Sequence, residues 1–119
     1  MATILLIEDN QAILTLFAMV LGEQHTVLTA NNGRDGLHLF EQHQVDLIIT
    51  DLSMPGFDGF DLIRAVRATG RPVKIIACSA LIQQGNVKQM ALEAGADLCL
   101  TKPVDLGTLE VTVAALLGR

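Results

Sequence analysis

The feature that most constrains this chain is a strict alternation of short aliphatic runs with longer segments of helical period. The runs are "TILLI" (3–7), "TVLTA" (26–30), "VDLIIT" (45–50), "PVKIIAC" (72–78) and "DLCLT" (97–101). After each comes a segment whose apolar residues recur every three or four positions, the mark of an amphipathic helix. In the first such segment they fall at 13, 14, 17, 20 and 21, with Asn10 placed to cap it. Asn32 and Asp35 suit the cap and first turn of the second, and Asp58 caps the third, where Phe60, Ile63 and Val66 share a stripe. The fourth carries Val87, Met90, Ala91 and Ala94 and stops at Gly95; Asp105 caps the last, with Leu106, Leu109, Val113 and Leu116 facing inward. Strand–helix alternation of this kind specifies a parallel sheet with helices on both faces. Continuous aliphatic strands fit a sheet buried on both sides. Five units are too few for a closed eightfold barrel. The predicted fold is α/β, an open, doubly wound, five-stranded parallel sheet of strand order 2-1-3-4-5.

Length and charge narrow the function. At 119 residues without linker, repeat or low-complexity segment, the chain reads as one domain, 1–119, with no output domain in it. Four Phe and no Trp or Tyr make the core aliphatic, with Met19 and Met90 expected as core filler. A net charge of −5 with eight scattered basic residues argues against nucleic acid as a direct ligand. The N-terminal apolar run is interrupted by Glu8 and Asp9 and has no basic region before it, so no signal peptide is expected. "AILTLFAMVLG" is too short to span a bilayer, so no membrane role is expected. Cys78 and Cys99 lack metal-type spacing and are expected to be reduced and buried, in a cytoplasmic protein. His25, His38 and His43 fall on helix surfaces or loops and are given no catalytic role.

In an open sheet of this kind, ligands bind beyond the carboxyl ends of the strands. Those ends carry Glu8 and Asp9 after the first strand, Asp51 after the third, Ser79 after the fourth, and Lys102 with Pro103 after the fifth. With the first and third strands adjacent, three carboxylates converge on one crevice. A pair of like charges 4 Å apart costs about 4 kcal/mol at an effective dielectric near 20, so the cluster calls for a cation or for protonation. Oxygen-only donors select a hard divalent ion, Mg2+ with several retained waters. Lys102 neutralises further charge and can meet an anionic group on the metal. A carboxylate nucleophile beside a metal, an ammonium and a hydroxyl is equipment for handling a phosphoryl group. Taken singly, each residue has a duller reading: Asp9 or Asn10 as a helix cap, Ser79 as an ordinary strand-end serine, Asp58 and Asp61 as cap and first turn.

Taken together, "IEDN" (7–10), "TDLSMPGFDGF" (50–60), "CSAL" (78–81) and "LTKPV" (100–104) resemble the four motifs of the response-regulator receiver domain, the family of the chemotaxis protein CheY. The similarity runs from about residue 3 to 117. It implies a flavodoxin/CheY-like (βα)5 fold and a phosphoacceptor role for Asp51, supplied by a histidine kinase or histidine phosphotransfer protein. It further implies Mg2+ held by Asp9, Asp51 and the Ser53 carbonyl, with Glu8 acting largely through water. Ser79 and Lys102 would contact the phosphoryl oxygens, and Pro103 would follow a cis peptide. The domain would then switch conformation and change its binding to an effector or output domain. It would hydrolyse its own acyl phosphate slowly, without being an enzyme in its own right. The face of the last two helices and the fifth strand is the family's usual partner or homodimer surface, here with Leu92, Val111 and Ala115 expected to be exposed.

Two positions depart from that pattern. Cys99 stands three residues before Lys102, where many members carry an aromatic switch residue, so the signal is expected to pass through residues 80 to 90 instead. Leu81, two beyond Ser79, is apolar where polar residues are frequent and would limit water beside the acyl phosphate. Rival functions fit less well. A flavin carrier needs a hydroxyl- and Gly-rich cradle and aromatic rings where this chain has "EDNQ" and no Trp or Tyr. A haloacid-dehalogenase-type hydrolase places its nucleophile after the first strand with a second Asp two residues on, an arrangement this chain lacks. A receiver-like interaction module that is never phosphorylated would be expected to have lost part of the set Glu8, Asp9, Asp51, Ser79 and Lys102.

Overall fold

The computed structural model describes residues 2–118. Strands β1 (Thr3–Ile7), β2 (Thr26–Ala30), β3 (Leu47–Asp51), β4 (Lys74–Ser79) and β5 (Leu98–Thr101) alternate with helices α1 (Gln11–Leu21), α2 (Gly33–Gln42), α3 (Gly59–Ala68), α4 (Val87–Ala94) and α5 (Leu106–Leu116). The strands form one sheet of order β2-β1-β3-β4-β5, every neighbouring pair parallel. That is the doubly wound architecture predicted from the alternation.

The pleat sorts the aliphatic runs into two cores. Leu5, Ile7, Ile48, Ile75 and Ala77 pack with Phe40, Leu62, Ile63, Val66 and Ala91 of α2, α3 and α4. Ile4, Leu6, Leu47, Ile49, Ile76 and Cys78 pack on the other side with Leu14, Leu21, Leu109 and Val113 of α1 and α5. Successive side chains point to opposite faces, so a strand covered on both is apolar along most of its length.

Helix starts follow the cap chemistry. Asn10 accepts from the Ile13 amide, Asn32 from Asp35 and Asp105 from Thr108. Asp58 and Asp61 exchange side chain-to-backbone hydrogen bonds in a capping box that fixes the start of α3. Gly56, at φ +74°, takes the left-handed conformation the preceding loop needs.

Several expectations are corrected. β4 starts at Lys74 rather than at Pro72, which has no N–H to give the ladder. β3 and β4 each run one residue further than their apolar runs. The Leu52 amide bonds the Cys78 carbonyl at 2.9 Å and the Lys102 amide bonds Ser79 at 3.0 Å, so Asp51 and Ser79 are the last strand residues, not the first loop residues. Met19 and Met90 are 64% and 47% exposed and fill no core, because α1 buries Leu14 and Leu21 and α4 buries only Ala91. His25 lies in the turn before β2, as expected, and is buried there, its Nδ1 accepting from the Ala2 amide at 3.3 Å. Leu106 is only half-buried; Phe60 and Leu116, though half-buried, pack against the cores as expected, and Leu62 joins the buried stripe of α3. Cys99 is half-buried, while Cys78 is buried, and both thiols are free. Leu92, Val111 and Ala115 are exposed as expected. Among the described residues no helix is long and apolar enough to cross a membrane.

Burial pushes the Cys78 thiol up to about 12, with the Lys102 charge pulling the other way. It therefore stays protonated through neutral and mildly alkaline pH. A thiol-reactive chromogenic reagent at pH 8 is expected to modify Cys99 slowly in the native protein and Cys78 only after unfolding. Fast reaction of both thiols in the native state would contradict the packing.

Candidate functional site

Parallel register brings the strand ends to a common level. Ile7 of β1 lies opposite Thr50, and Ser79 of β4 opposite Thr101, so Glu8, Asp51 and Lys102 leave the sheet side by side. Lys102 Nζ donates to Glu8 Oε1 at 2.8 Å and to Asp51 Oδ2 at 2.9 Å. The remaining carboxylate oxygens accept backbone amides: Asp51 Oδ1 from Ser53 at 3.2 Å, and Glu8 Oε2 from Asn10 at 3.2 Å. Both carboxylates are only 5% exposed, so this pairing satisfies groups that would otherwise be buried charges. Burial alone would lower the Lys102 pKa. Its hydrogen bonds to Glu8 and Asp51 and their negative charge outweigh burial and hold it above the ordinary lysine value.

Glu8, Asp9 and Asp51 each offer an oxygen within 4.8 Å of the others. Asp9 is exposed, which leaves one side of the cluster open to water. Oxygen-only donors with solvent access fit Mg2+, which keeps several waters and takes few protein ligands. The predicted residues Glu8, Asp9, Asp51 and Lys102 are therefore brought together. Ser53 joins through its amide to Asp51. Ser79 is buried at the neighbouring strand end, but its Oγ accepts from the Leu81 amide at 3.0 Å rather than bonding Asp51 or Lys102. The Lys102–Pro103 peptide is cis, as the resemblance implied.

The sequence did not announce the cavity beside the site. It measures about 380 Å3 and has apolar walls that include Ile13 and Phe17 of α1, Cys78, Pro103 and Val104, with Glu8, Asp51 and Lys102 at its edge. Its walls come from elements far apart in sequence, so no local pattern could reveal it.

The chain belongs to the response regulator receiver domain family, whose model matches residues 4–114. It is 40% identical over 120 residues to the transcriptional regulatory protein AfsQ1 of Streptomyces coelicolor, a match covering all of this chain and 52% of that protein. Sensor histidine kinase RcsC of Salmonella typhimurium is 35% identical over 119 residues, covering 98% of this chain and 12% of the kinase. The chain thus spans about half, or less, of the length of these relatives. Chemotaxis protein CheY4 of Vibrio cholerae superposes with a TM-score of 0.91 at 28% identity, covering 98% of each chain. The family is a signalling family of two-component systems, not a catalytic one.

Replacing Lys102 by Met leaves two buried carboxylates facing each other. Loss of one partner of a fully buried pair costs about 3–5 kcal/mol, and partial exposure of the ammonium reduces this to roughly 2 kcal/mol. The wild-type contribution is present below the unfolded lysine pKa and is lost as pH rises through the higher folded value. Thermal melts from pH 7 to 11 are expected to show a gap between wild type and K102M that is full at neutral pH and closes only in strong alkali. A gap that closed below pH 9 would contradict the bridge.

Proposed function

We propose that Asp51 is the phosphoacceptor of a receiver domain that takes its phosphoryl group from a histidine kinase or histidine phosphotransfer protein. The observation that carries this reading is the double bridge of Lys102 to Glu8 and Asp51, with Asp9 within reach of both carboxylates. The carboxylates of Glu8, Asp9 and Asp51, with the Ser53 carbonyl, would hold Mg2+, and Glu8 would act largely through water. When bound, the ion offsets the negative charge that builds on the transferring group.

An Asp51 oxygen attacks phosphorus, the P–N bond of the donor phosphohistidine breaks, and the imidazole leaves with the electron pair and takes up a proton. Asp51 is then an acyl phosphate carrying extra negative charge. Lys102, already 2.9 Å from Asp51, turns to the phosphoryl oxygens and gives up part of its contact with Glu8. The Ser79 hydroxyl, whose oxygen now receives the Leu81 amide, donates its own proton to the same group. That movement pulls on residues 80 to 86, which lead directly into α4, a helix whose Asn86 cap makes no side-chain hydrogen bond and whose only buried residue is Ala91. α4 is thus the element most easily biased between two arrangements. Cys99 at the usual aromatic position agrees with a signal carried by this loop. The exposed Met90, Leu92 and Val111 of α4 and α5 offer the apolar surface for an effector, an output domain or a second copy. A domain serving such partners works in the cytoplasm, without direct contact to nucleic acid or membrane.

The test is intact mass after incubation with Mg2+ and acetyl phosphate. One phosphoryl group is expected on wild type, and none on Asp51→Asn or in excess chelator. No gain, or an equal gain in Asp51→Asn, would favour an interaction module that is never phosphorylated. Leu81 is 46% exposed, and its amide bonds the Ser79 hydroxyl oxygen. Leu81→Glu is expected to change the acyl-phosphate lifetime severalfold, read as the decay of the phosphorylated mass; an unchanged decay would remove any role for Leu81 in water access.

A further inference from the structure

Two glycines, each the first residue of a helix, press on the loop that leaves Asp51, and neither has room for a side chain. A Cβ built on Gly59 would lie 2.3 Å from the Asp51 carbonyl oxygen and 2.7 Å from the Leu52 Cα. One built on Gly33, at the start of α2, would lie 2.3 Å from the Phe57 carbonyl oxygen and 3.3 Å from its carbon. Both glycines are buried, and neither has a positive φ, so backbone freedom is not the reason for glycine at either place. What each permits is backbone-to-helix contact closer than a methyl group allows. The contacts sit at the two ends of the segment 51–58, which contains Asp51, Ser53 and the left-handed Gly56. Arg34, next to Gly33, reinforces the far end by placing its guanidinium 5.1 Å from the centre of the Phe57 ring.

We infer that Gly33 and Gly59 are positioning residues that clamp the Asp51–Asp58 segment, so that the start of α2 helps set the metal and phosphoryl geometry although it supplies no ligand. Gly59 holds the backbone of the nucleophile itself. Gly33 holds the loop from the start of α2, a helix that packs on β1 and β2 and against α3. The inference rests on the proposed phosphoacceptor reading.

Gly36, in the same helix as Gly33 and equally buried, supplies the control. A Cβ there would lie 2.5 Å from Ile7 Cδ1 and 2.9 Å from Ile7 Cγ1, side-chain atoms rather than a backbone. All three positions are helical, so Ala in place of Gly favours the helix at each. A purely structural role for Gly33 would lower the melting temperature of G33A while leaving its Mg2+ affinity and Ser53 amide unchanged.

The experiment measures Mg2+ affinity of the full chain by calorimetry, the chemical shift of the Ser53 amide, the melting temperature and the rate of phosphorylation by acetyl phosphate. G33A is expected to bind Mg2+ roughly 10- to 100-fold more weakly, as loss of support behind metal ligands typically does. Its Ser53 amide is expected to shift, whatever fall in melting temperature the displaced Phe57 carbonyl brings. G36A is expected to keep wild-type Mg2+ affinity. G59A is expected to show the larger loss of Mg2+ affinity; should it fail to fold, the G33A and G36A pair still decides. Wild-type Mg2+ affinity and an unmoved Ser53 amide in G33A would overturn the clamp. If wild type itself gains no phosphate on Asp51, the phosphoacceptor reading fails, whereas a phosphorylated wild type with an equally competent G33A defeats the clamp alone.

Discussion

The pairing of one ammonium with two buried carboxylates is the constraint around which the site is built. Glu8, Asp51 and Lys102 come from the ends of three different strands, and each carboxylate is almost fully removed from water. Desolvated carboxylates in one crevice repel each other and lose hydration together. Lys102 answers both problems, and backbone amides from Asn10 and Ser53 take the remaining oxygens. The arrangement is balanced while leaving Asp9 exposed and an oxygen-lined opening toward solvent. In the proposed function a dianionic group on Asp51 would upset that balance, and an electrostatic change of this size becomes a conformational one only where the structure is weakly held. The β4–α4 connection and α4 itself meet that description: a helix of eight residues, without a side-chain cap and with a single buried residue.

The rest of the fold works to hold the strand ends still. Two aliphatic cores, one on each face of the sheet, fix the register of β1, β3, β4 and β5, and the register places the three charged residues at one level. Away from the site, Arg67 bonds the carbonyls of Gly95 and Val73 and pairs with Asp97, tying α3 to the approaches to β4 and β5. Arg71 bonds the carbonyls of Phe40 and His43 while stacking on the Phe40 ring, and so closes the end of α2. Rigid strands with a loosely held fourth helix make a domain in which a local charge event can have a remote consequence.

Much of this was legible in the sequence because the relevant signals are local. Asn10, Asn32, Asp58 and Asp105 cap their helices through hydrogen bonds reaching three residues ahead, and the aliphatic runs mark strands covered on both faces. The residues of the site were legible for a topological reason: in a parallel doubly wound sheet every strand delivers its following residues to the same edge. The misreadings share a cause as well. Met19 and Met90 are apolar residues on helices whose buried stripe is narrow, and periodicity alone does not say which apolar residue lies outside it. His25 is polar and sits in a turn, as read, and only the tertiary structure buries it there. The close approaches of Gly33 and Gly59 to the loop of Asp51 have no sequence pattern at all, since they depend on how near a backbone passes.

Sequence by itself determined the alternation, the open parallel sheet that it entails, the helix caps and the set of reactive residues at the strand ends. Each of these follows from interactions within a few residues or from the handedness and connectivity of βα units. Only tertiary structure decided that Lys102 spans Glu8 and Asp51 together, that the Ser79 oxygen is held by Leu81, and that two helix starts come within less than a methyl group's reach of the Asp51 loop. Those are distances between chain segments brought together by packing, and packing is a property of the whole core rather than of any stretch of it.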